Sequence, residues 1–551
     1  MDEEIAEAEQ VIEQIEEIYE TDYEVGQDNV EALGLDMHNP VFFVSAFLIV
    51  VFVVGSLLFP ETAKAGLEAT KAWIQIVFDW LLLSAGNIFV LFCLVLIVLP
   101  SGSIRIGGEE AEPDFSLLSW FAMLFAAGMG IGLMFWGVAE PAAYYTDWYG
   151  TPLNAEPYAP GAGAETLQAA RAASLGATMY HWGLHPWSIY AVVALALAFF
   201  AYNKGLPLTI RSTFYPLLGD RVWGPIGNVI DIVAVLATIF GLATSLGFGA
   251  QQAAGGMEFL FGVGKGLTTQ VTIVVCVTIV ALISVVRGID GGVKLLSNIN
   301  MSLAFLLLVF VIIASSLTAF FANFATTFAG YTDLLLPLSN PVGREDEVFY
   351  HEWTIFYWAW WISWSPFVGM FIARVSRGRT VRQFLTAVLI VPTLVTMTWM
   401  SAFGGSGLDQ IDQRIGQLAD GIGDEALVLF QMLENLPLSA VTSLLGICLV
   451  LVFFVTSSDS GSLVIDSITS GGKTDAPVTQ RVFWATMQGV IAAVLLTLGG
   501  TAALDALQAG AVSTGLPFTF VLLAMCVSLG RGLYHERMLV NAVAVQEPET
   551  S

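Results

Sequence analysis

Long apolar runs separated by short polar segments make up most of the chain. Val41–Phe59 and Ile299–Ala325 are two such runs, and neither contains a charged residue. A run of about 19 apolar residues is long enough for a helix to cross a hydrocarbon core of roughly 30 Å. The pattern therefore predicts an all-α membrane protein with twelve spanning helices. They are expected near residues 41–59, 77–99, 117–139, 176–202, 228–254, 270–286, 299–325, 353–373, 384–403, 437–458, 482–499 and 511–530.

The composition agrees with a membrane protein and sets aside several other classes. Of 551 residues, 56% are apolar and 12% are charged, which is too apolar for an ordinary soluble domain. All four cysteines lie inside apolar runs without a CxxC spacing, so neither a disulfide framework nor a zinc site is indicated. The chain has no GxxxxGK[ST] motif for ATP, and its spans carry no paired carboxylates or nucleophile–base motif for an enzyme.

The charged residues are concentrated at the ends and in the loops. Residues 1–40 contain fourteen Asp or Glu residues and no Lys or Arg. We interpret them as an acidic cytoplasmic tail, solvated or regulatory, in which apolar residues at helical spacing predict one amphipathic helix. The transmembrane domain is expected at residues 41–530 and a short cytoplasmic tail at 531–551. Loops on the side of the termini hold fourteen Lys or Arg and the opposite loops hold six, so both termini are predicted to be cytoplasmic, with the protein in the cell membrane.

Two spans contain residues that interrupt helices at corresponding places. Span three carries three glycines in Gly128–Gly132, and span eight carries Pro366. Unwound backbone at membrane depth is tolerated only where it lines a cavity or is buried in protein, and broken spans in matching positions indicate a transporter binding site. Spans three to seven and eight to twelve would then form inverted five-helix repeats, with the first two spans peripheral. The alternative, that the glycines serve close helix packing, stays open.

Aromatic residues stand next to both interruptions. In span eight an aromatic stripe at helical spacing reaches Trp361 and Trp364. In span four Trp182 and Tyr190 are two turns apart, and a proline kink allows Trp187 to join them. Aromatic residues in membrane proteins usually form interfacial belts, but Trp361 and Trp364 lie well inside the span. Since indole faces are the best partners of quaternary ammonium groups, at roughly 0.5–2 kcal/mol each, the pattern favours an aromatic cage for such a cation.

Two further polar features lie near these positions. His181 and His185 have the i, i+4 spacing of metal ligands, but without a third ligand, histidines that pack or bond to loops are favoured. Near the inner end of span ten, Thr456 and Ser457 follow Phe453. Neutral hydroxyl and carbonyl oxygens can replace the water shell of a sodium ion without a fixed charge, although such hydroxyls also bond back to their own helix.

At these residues the sequence resembles the betaine/choline/carnitine transporter family. Gly128–Gly132 followed by Phe135–Pro141 matches the span-three motif of that family, and Trp353–Pro366 followed by Ala373–Thr380 is similar to its most specific signature. The likeness extends over residues 40–530. It implies the leucine-transporter type of inverted-repeat fold, a homotrimer in the lipid membrane, and a betaine-like small molecule as substrate.

Carried over position by position, the resemblance implies a substrate site and two sodium sites. The implied substrate site consists of Trp182, Trp187, Tyr190 and Trp361, with Trp364 and Phe135 beside them, and of Gly128, Met129, Gly130 and Gly132. The first sodium ion would bind the carbonyl groups of Ala126, Met129 and Phe453 and the hydroxyl groups of Thr456 and Ser457. A second would use Thr238 and the face of Phe367. Leu242 stands where sodium-coupled betaine carriers tend to have another hydroxyl, so the number of coupled ions is open.

The predicted function is sodium-coupled uptake of glycine betaine by alternating access, with Na⁺ as the coupling ion and no organic cofactor. Span five contains no Arg or Lys, unlike the sodium-independent carnitine exchangers of the family. Gly132 stands where choline-transporting relatives typically have Asp, which favours betaine over choline. The alternative is a proton- or sodium-coupled carrier of choline or carnitine. A channel would not need an aromatic cage between broken helices, and no nucleic-acid partner is expected.

Overall fold

The computed structural model describes residues 2–128, 130–147, 166–287, 294–344 and 348–546. These residues are almost entirely helical, and ten of their helices are long and apolar enough to cross a membrane. Two predicted spans fall outside these ten for physical reasons. Span three is divided into two helices of 12 residues, and span eight is rich in Trp and Tyr, whose polar groups lower its mean hydropathy. The predicted all-α membrane architecture is confirmed.

The N-terminal part of the chain contains four helices and a short β-hairpin. The two strands pair antiparallel, with Asn29 opposite His38. The elements are α1 (Asp2–Tyr19), β1 (Asn29–Ala32), β2 (Leu35–His38), α2 (Val41–Leu58), α3 (Pro60–Val77) and α4 (Asp79–Val98). The helices α2 and α4 are the first two predicted spans, and the more polar α3 joins them.

The segment after α1 is not a solvated tail. The predicted amphipathic helix is present as α1, but the residues that follow it pack on the rest of the protein. Tyr23 stacks on Trp223 with ring centroids 4.1 Å apart. The buried Arg211 guanidinium donates to the Tyr23 hydroxyl at 2.7 Å and lies 3.0 Å from Nε2 of His38. Burial and the neighbouring guanidinium lower the pKa of His38 to about 3, so its imidazole is neutral and accepts the arginine proton.

Two groups of helices follow. The first consists of α5 (Leu117–Gly128), α6 (Ile131–Ala142), α7 (Leu167–Trp182), α8 (Leu184–Tyr202), α9 (Tyr215–Leu218), α10 (Pro225–Phe261), α11 (Leu267–Arg287) and α12 (Lys294–Ser315). The helix α13 (Leu317–Ser339) leads to the second group. That group consists of α14 (Phe356–Arg374), α15 (Val381–Asp412), α16 (Glu425–Glu434), α17 (Ser439–Thr469), α18 (Val478–Gly499) and α19 (Ala503–Gln546).

The two groups pack as repeats that can be exchanged. In this comparison α6 of the first group corresponds to α14 of the second, and α8 corresponds to α15. The helix α8 packs on α14, and the corresponding pair, α15 and α6, also packs together. In the same way, α10 packs on α18 and α19 as α17 packs on α11 and α12. Each repeat crosses the membrane an odd number of times, so the second runs opposite to the first. This is the predicted inverted five-helix repeat, and it brings α6, α8 and α14 together.

Three predicted boundaries differ in the structure. Span seven ends before Ser316, which has a φ of 99° in the left-handed region, and α13 begins after it. The predicted interruption at Pro366 is wrong, because α14 continues through it. The Ser365 hydroxyl donates at 2.7 Å to the Ile362 carbonyl, which Pro366 leaves without its helical N–H partner. The boundary predicted at residue 531 lies inside α19, which runs as one helix to Gln546.

Candidate functional site

The candidate site begins where α5 and α6 meet. The helix α5 ends at Gly128, α6 starts at Ile131, and Gly130 lies between them in an extended conformation (φ −167°, ψ −176°). Met129, which is predicted for both substrate and sodium binding, lies outside the described residues. Three glycines within five residues weaken a helix at this point. The predicted break in span three is present, and the N-terminus of α6 directs backbone N–H groups and the positive end of a helix dipole toward it.

Span four is also interrupted, at Gly183 between α7 and α8. The Tyr331 hydroxyl occupies this gap and accepts the backbone N–H of Leu184 at 2.9 Å. A Cβ atom at Gly183 would lie 2.6 Å from that hydroxyl oxygen, so the close approach requires glycine. The break places Trp182 at the end of α7 and Trp187 in the first turn of α8.

Aromatic side chains from α7, α8 and α14, together with Gly130 and Gly132 at the break in span three, enclose a cavity of ≈ 40 Å³. This volume exceeds the roughly 10–15 Å³ that a single water molecule needs. The rings of Trp182 and Trp361 meet edge to face with centroids 4.9 Å apart, and Tyr190 meets Trp187 in the same way at 5.4 Å. The cavity is lined by Gly130, Gly132, Leu133, Trp182, Pro186, Trp187, Tyr190, Trp360, Trp361, Trp364 and Thr396.

The positions predicted for the substrate site converge on this cavity, with Phe135 as an exception among the residues whose surroundings the structure describes. Phe135 stacks on Phe248 with centroids 5.2 Å apart and does not line the cavity. Gly128 is the last residue of α5. The sequence reasoning missed Trp360, although its neighbour Trp361 was included. The two rings stack at 4.6 Å with an interplanar angle of 18°, so one extends the wall formed by the other.

The polar edges of the cavity rings are used outside the cavity. The Trp361 indole N–H donates to the His181 carbonyl at 2.9 Å, and the Trp364 indole N–H donates to the Gly241 carbonyl at 2.9 Å. Among the described residues, no charged side chain lines the cavity. A space walled by indole and phenol surfaces suits a quaternary ammonium group, which cannot donate a hydrogen bond but is attracted by aromatic faces.

Gly132 lies where two of the cavity rings converge. A Cβ atom at this position would lie 2.8 Å from Cη2 of Trp182 and 2.9 Å from Cη2 of Trp360. Carbon atoms pack favourably at about 3.5–4.0 Å. Any side chain at Gly132 would therefore push both rings away, and the shape of the cavity depends on this glycine.

A second cavity of ≈ 130 Å³ lies between α5, α12, α14 and α17. It contains four described residues of the predicted first sodium site, and Trp364 lines both cavities. These four residues are Ala126, Phe453, Thr456 and Ser457. The structure thus brings residues from the broken span three and from span ten to one place, as the family resemblance implies, although their separation along the chain exceeds 300 residues.

The atoms that face this second cavity are suited to a sodium ion. The Thr456 hydroxyl donates within its own helix, to the Val452 carbonyl at 3.0 Å, and this leaves its oxygen lone pairs available. Asn300 is only 2% exposed and lines the same cavity, and its Oδ1 atom has no hydrogen-bond partner among the described residues. Neutral oxygens of this kind are hard ligands that suit Na⁺ without adding a charge.

The two residues predicted for a second ion do not share this cavity. Phe367 lines it, whereas Thr238 does not, and the Thr238 hydroxyl donates to the Ala234 carbonyl of its own helix at 2.7 Å. Leu242 faces Gly461, where an added Cβ would meet the leucine side chain. A second sodium ion stays a prediction.

A buried carboxylate lies behind the aromatic cavity and was not predicted. Glu140 on α6 is fully buried. Its Oε2 atom accepts the Trp182 indole N–H at 2.7 Å and the Tyr357 hydroxyl at 2.5 Å. Its Oε1 atom accepts the Tyr144 hydroxyl at 2.9 Å and lies 2.8 Å from Nδ1 of His181. The available signal was an acidic residue directly after predicted span three, within the Phe135–Pro141 motif, since acidic residues at membrane depth are rarely without a function.

Comparisons with known proteins agree with this geometry. The chain is 62% identical to glycine betaine transporter 1 of Vibrio parahaemolyticus, over 94% of its own length and 98% of that protein. It is 60% identical to a glycine betaine/proline/choline/ectoine transporter of the same organism, over 94% of its own length and 91% of that protein. It is 42% identical to the glycine betaine transporter OpuD of Bacillus subtilis, over 91% of its own length and 95% of that protein.

The solved structures offer a weaker likeness. A manganese transporter of Eremococcus coleocola covers 81% of this chain and 93% of its own, with 14% identity and a TM-score of 0.38, too low to assign a fold.

A model of the betaine/carnitine/choline family of transporters matches residues 40–538, which include the broken α5–α6 span, the aromatic cavity and the Thr456–Ser457 pair. With a match over nearly the whole chain and relatives at 62% and 60% identity, the protein belongs to the betaine/carnitine/choline transporter family.

Proposed function

We propose that the protein takes up glycine betaine together with sodium ions by alternating access. The proposal rests on the aromatic cavity, in which five indole rings and one phenol surround a space that no charged side chain of the described residues enters. A trimethylammonium group has no N–H to donate, so aromatic faces suit it better than hydrogen-bond acceptors. Each face contributes roughly 0.5–2 kcal/mol, and three faces are enough for binding in the micromolar to millimolar range when the carboxylate is also held.

The start of α6 offers a partner for the carboxylate of betaine. Gly130 and Gly132 line the cavity, and without side chains they leave the backbone of this helix start accessible. Backbone N–H groups and the helix dipole at an N-terminus attract an anion. A zwitterion with a trimethylammonium group at one end and a carboxylate at the other therefore matches both parts of the cavity. Choline would leave the helix start without an anion.

Thr456 and Ser457 on α17, with the backbone of Ala126 on α5, would hold a sodium ion in the ≈ 130 Å³ cavity. An ion bound there would link the broken span three to span ten, and so would favour one relative arrangement of the two repeats. Each Na⁺ that enters down a membrane potential of 100 mV supplies about 2.3 kcal/mol. That energy corresponds to an accumulation of betaine of about fiftyfold.

The proposal also covers the location, the orientation and the oligomeric state of the protein. We place it in the cell membrane with both termini cytoplasmic, because the loops on that side hold fourteen of the 20 Lys and Arg residues. The family resemblance further suggests a homotrimer. Cross-linking of the purified protein in detergent and in lipid would show a species of three chains if this is correct.

Uptake into proteoliposomes tests the proposed function. Vesicles that contain the purified protein receive labelled glycine betaine under an inward sodium gradient, a matched potassium gradient or no gradient. Accumulation above the external concentration is expected only with sodium. Equal uptake under the sodium and potassium gradients would refute the coupling, and failure of unlabelled betaine to compete better than choline or carnitine would refute the assigned substrate.

A further inference from the structure

Glu140 is a buried acid in the membrane domain that lies outside the cavities described above. Its carboxylate does not line the aromatic cavity, yet it contacts side chains of two other helices that do. Trp182 belongs to α7, Tyr357 to α14 and Glu140 itself to α6, and all three helices contribute residues to the cavity wall. One carboxylate therefore joins the two broken spans to span eight.

The contacts of Glu140 show that it acts as an acceptor. An indole N–H can only donate, so Oε2 accepts from Trp182, and the same oxygen accepts the Tyr357 hydroxyl. With two partners on each oxygen, the group is saturated with hydrogen bonds. A carboxylate buried at membrane depth costs several kcal/mol of free energy unless it is paired in this way. The amide nitrogen of a Gln would face these donors and could not accept from them, and Leu would leave them without an acceptor, so the surroundings of this position suit a carboxylate.

We propose that Glu140 is a positioning residue that sets the preference of the cavity for a cationic head group through Trp182. The inference rests on the proposed function, since it assumes that the cavity binds the trimethylammonium group of betaine. The hydrogen bond to Nε1 draws the polar edge of the Trp182 indole away from the cavity, so that the ring keeps its apolar surface toward the ligand.

The negative charge at the Trp182 indole N–H also acts on the bound cation. A carboxylate that accepts the N–H polarises the indole and makes its face more negative, and the face of a ring attracts a cation because it is negative. The Coulomb attraction between carboxylate and cation acts through low-dielectric protein and is therefore screened less than in water. Both effects require the charge, and both operate through the ring rather than by contact with the ligand.

Tyr357 extends the same arrangement to Trp361. Its hydroxyl donates to Glu140, and its ring stacks on that of Trp361 at 5.8 Å with an interplanar angle of 27°. Trp361 in turn meets Trp182 edge to face. The carboxylate thus holds two rings of one connected aromatic wall, and loss of its charge is expected to affect binding more than folding.

The test is a double-mutant cycle on the full-length protein in lipid nanodiscs. Betaine affinity is measured by isothermal titration for wild type, Glu140→Gln, Trp182→Phe and the double variant. Phenylalanine keeps an aromatic face but has no N–H for Glu140 to accept. We expect Glu140→Gln to weaken binding at least tenfold in the wild-type background and less than threefold in the Trp182→Phe background. Glu140→Asp, which keeps the charge, is expected to recover part of the loss.

A matched control separates this effect from general damage to a buried acid. Glu536 on α19 is also a buried carboxylate, it is paired with Lys204, and neither residue lines the cavity. Glu536→Gln is expected to bind betaine within twofold of wild type. Equal losses from Glu140→Gln in the two Trp182 backgrounds, or wild-type affinity in Glu140→Gln, would overturn the inference and leave the proposed function standing. Absence of betaine binding by the wild-type protein would overturn both.

Discussion

Replacement of Gly132 by alanine is expected to weaken betaine binding through the shape of the cavity alone. The new methyl group would lie 2.8 Å from Cη2 of Trp182 and 2.9 Å from Cη2 of Trp360. Carbon–carbon contacts are favourable at about 3.5–4.0 Å, so each ring must move by roughly 0.6–1.2 Å. Both atoms are at the far ends of the side chains, where a ring can tilt. The strain is therefore released by displacing the two indole faces that border the cavity.

The size of this effect follows from measured costs of overpacking. One extra methyl group in a packed interior costs about 1–3 kcal/mol. If the unliganded protein relaxes by tilting the rings, most of that cost reappears when betaine requires them in place. The dissociation constant then rises by about 5- to 150-fold. Gly132→Asp should weaken betaine further by repelling its carboxylate, while its charge partly compensates a net cation, so choline should compete better than it does against wild type.

The assay is titration of betaine into purified protein, with intrinsic tryptophan fluorescence recorded in parallel. Gly446→Ala is the matched control, since Gly446 also lies inside a membrane helix but an added Cβ would meet its nearest neighbours at 3.5 and 3.7 Å, ordinary contact distances. This control should bind betaine within twofold of wild type. Wild-type affinity in Gly132→Ala would refute the reasoning, because it would mean that the two rings near Gly132 do not contact the ligand.

Three further outcomes are expected. Trp361→Leu should lower betaine affinity at least several-fold because it removes one aromatic face of the cavity. Trp353 does not line the cavity, so Trp353→Leu should lower the affinity less. Equal losses of affinity for the two variants in a binding titration would contradict this. Thr456→Ala and Ser457→Ala should raise the sodium concentration for half-maximal uptake without loss of protein from the membrane, and an unchanged sodium dependence would place the ion elsewhere. Because His38 has its pKa lowered to about 3 from an unfolded value near 6.5, the unfolded hairpin binds more protons below pH 6.5. Packing of the hairpin should therefore be intact above pH 6.5 and weaken by about 1.4 kcal/mol per unit as pH falls toward 3, seen as faster amide exchange in β1 and β2.

The parts of the site that could be predicted are those encoded by local spacing. Three glycines in five residues predict a broken helix, and the structure has that break between Gly128 and Ile131. Trp182 and Tyr190 two turns apart, with Trp361 at helical spacing in span eight, predict a set of rings on helix faces. Such patterns concern neighbours within two or three turns of one helix, so they can be recognised in the sequence without knowledge of the tertiary structure. Which faces meet each other came only from the family resemblance and the fold.

The remaining features depend on contacts between distant residues. Pro366 was expected to unwind span eight, but the Ser365 hydroxyl supplies the hydrogen bond that proline cannot, and the helix continues. The packing of the segment after α1 depends on Arg211, which is 173 residues from His38 along the chain. No periodicity marks such partners. The acidic composition of the N-terminal residues agrees with the exposure of much of α1. It gave no indication that Tyr23 and His38, which follow α1, pack on the rest of the protein.

The position of Glu140 explains how a cavity can favour a cation and still admit a zwitterion. A carboxylate inside the cavity would attract the trimethylammonium group of betaine but would repel the carboxylate of the same molecule, only a few ångströms away. Behind Trp182, the same charge is separated from the ligand by an indole ring, and its nearest oxygen is already saturated by the Trp182 and Tyr357 donors. The ring presents a negative face to the cation and no acceptor to the anion. The start of α6 is then free to bind the carboxylate of the substrate, so each end of a zwitterion is stabilised without a charged side chain in contact with it.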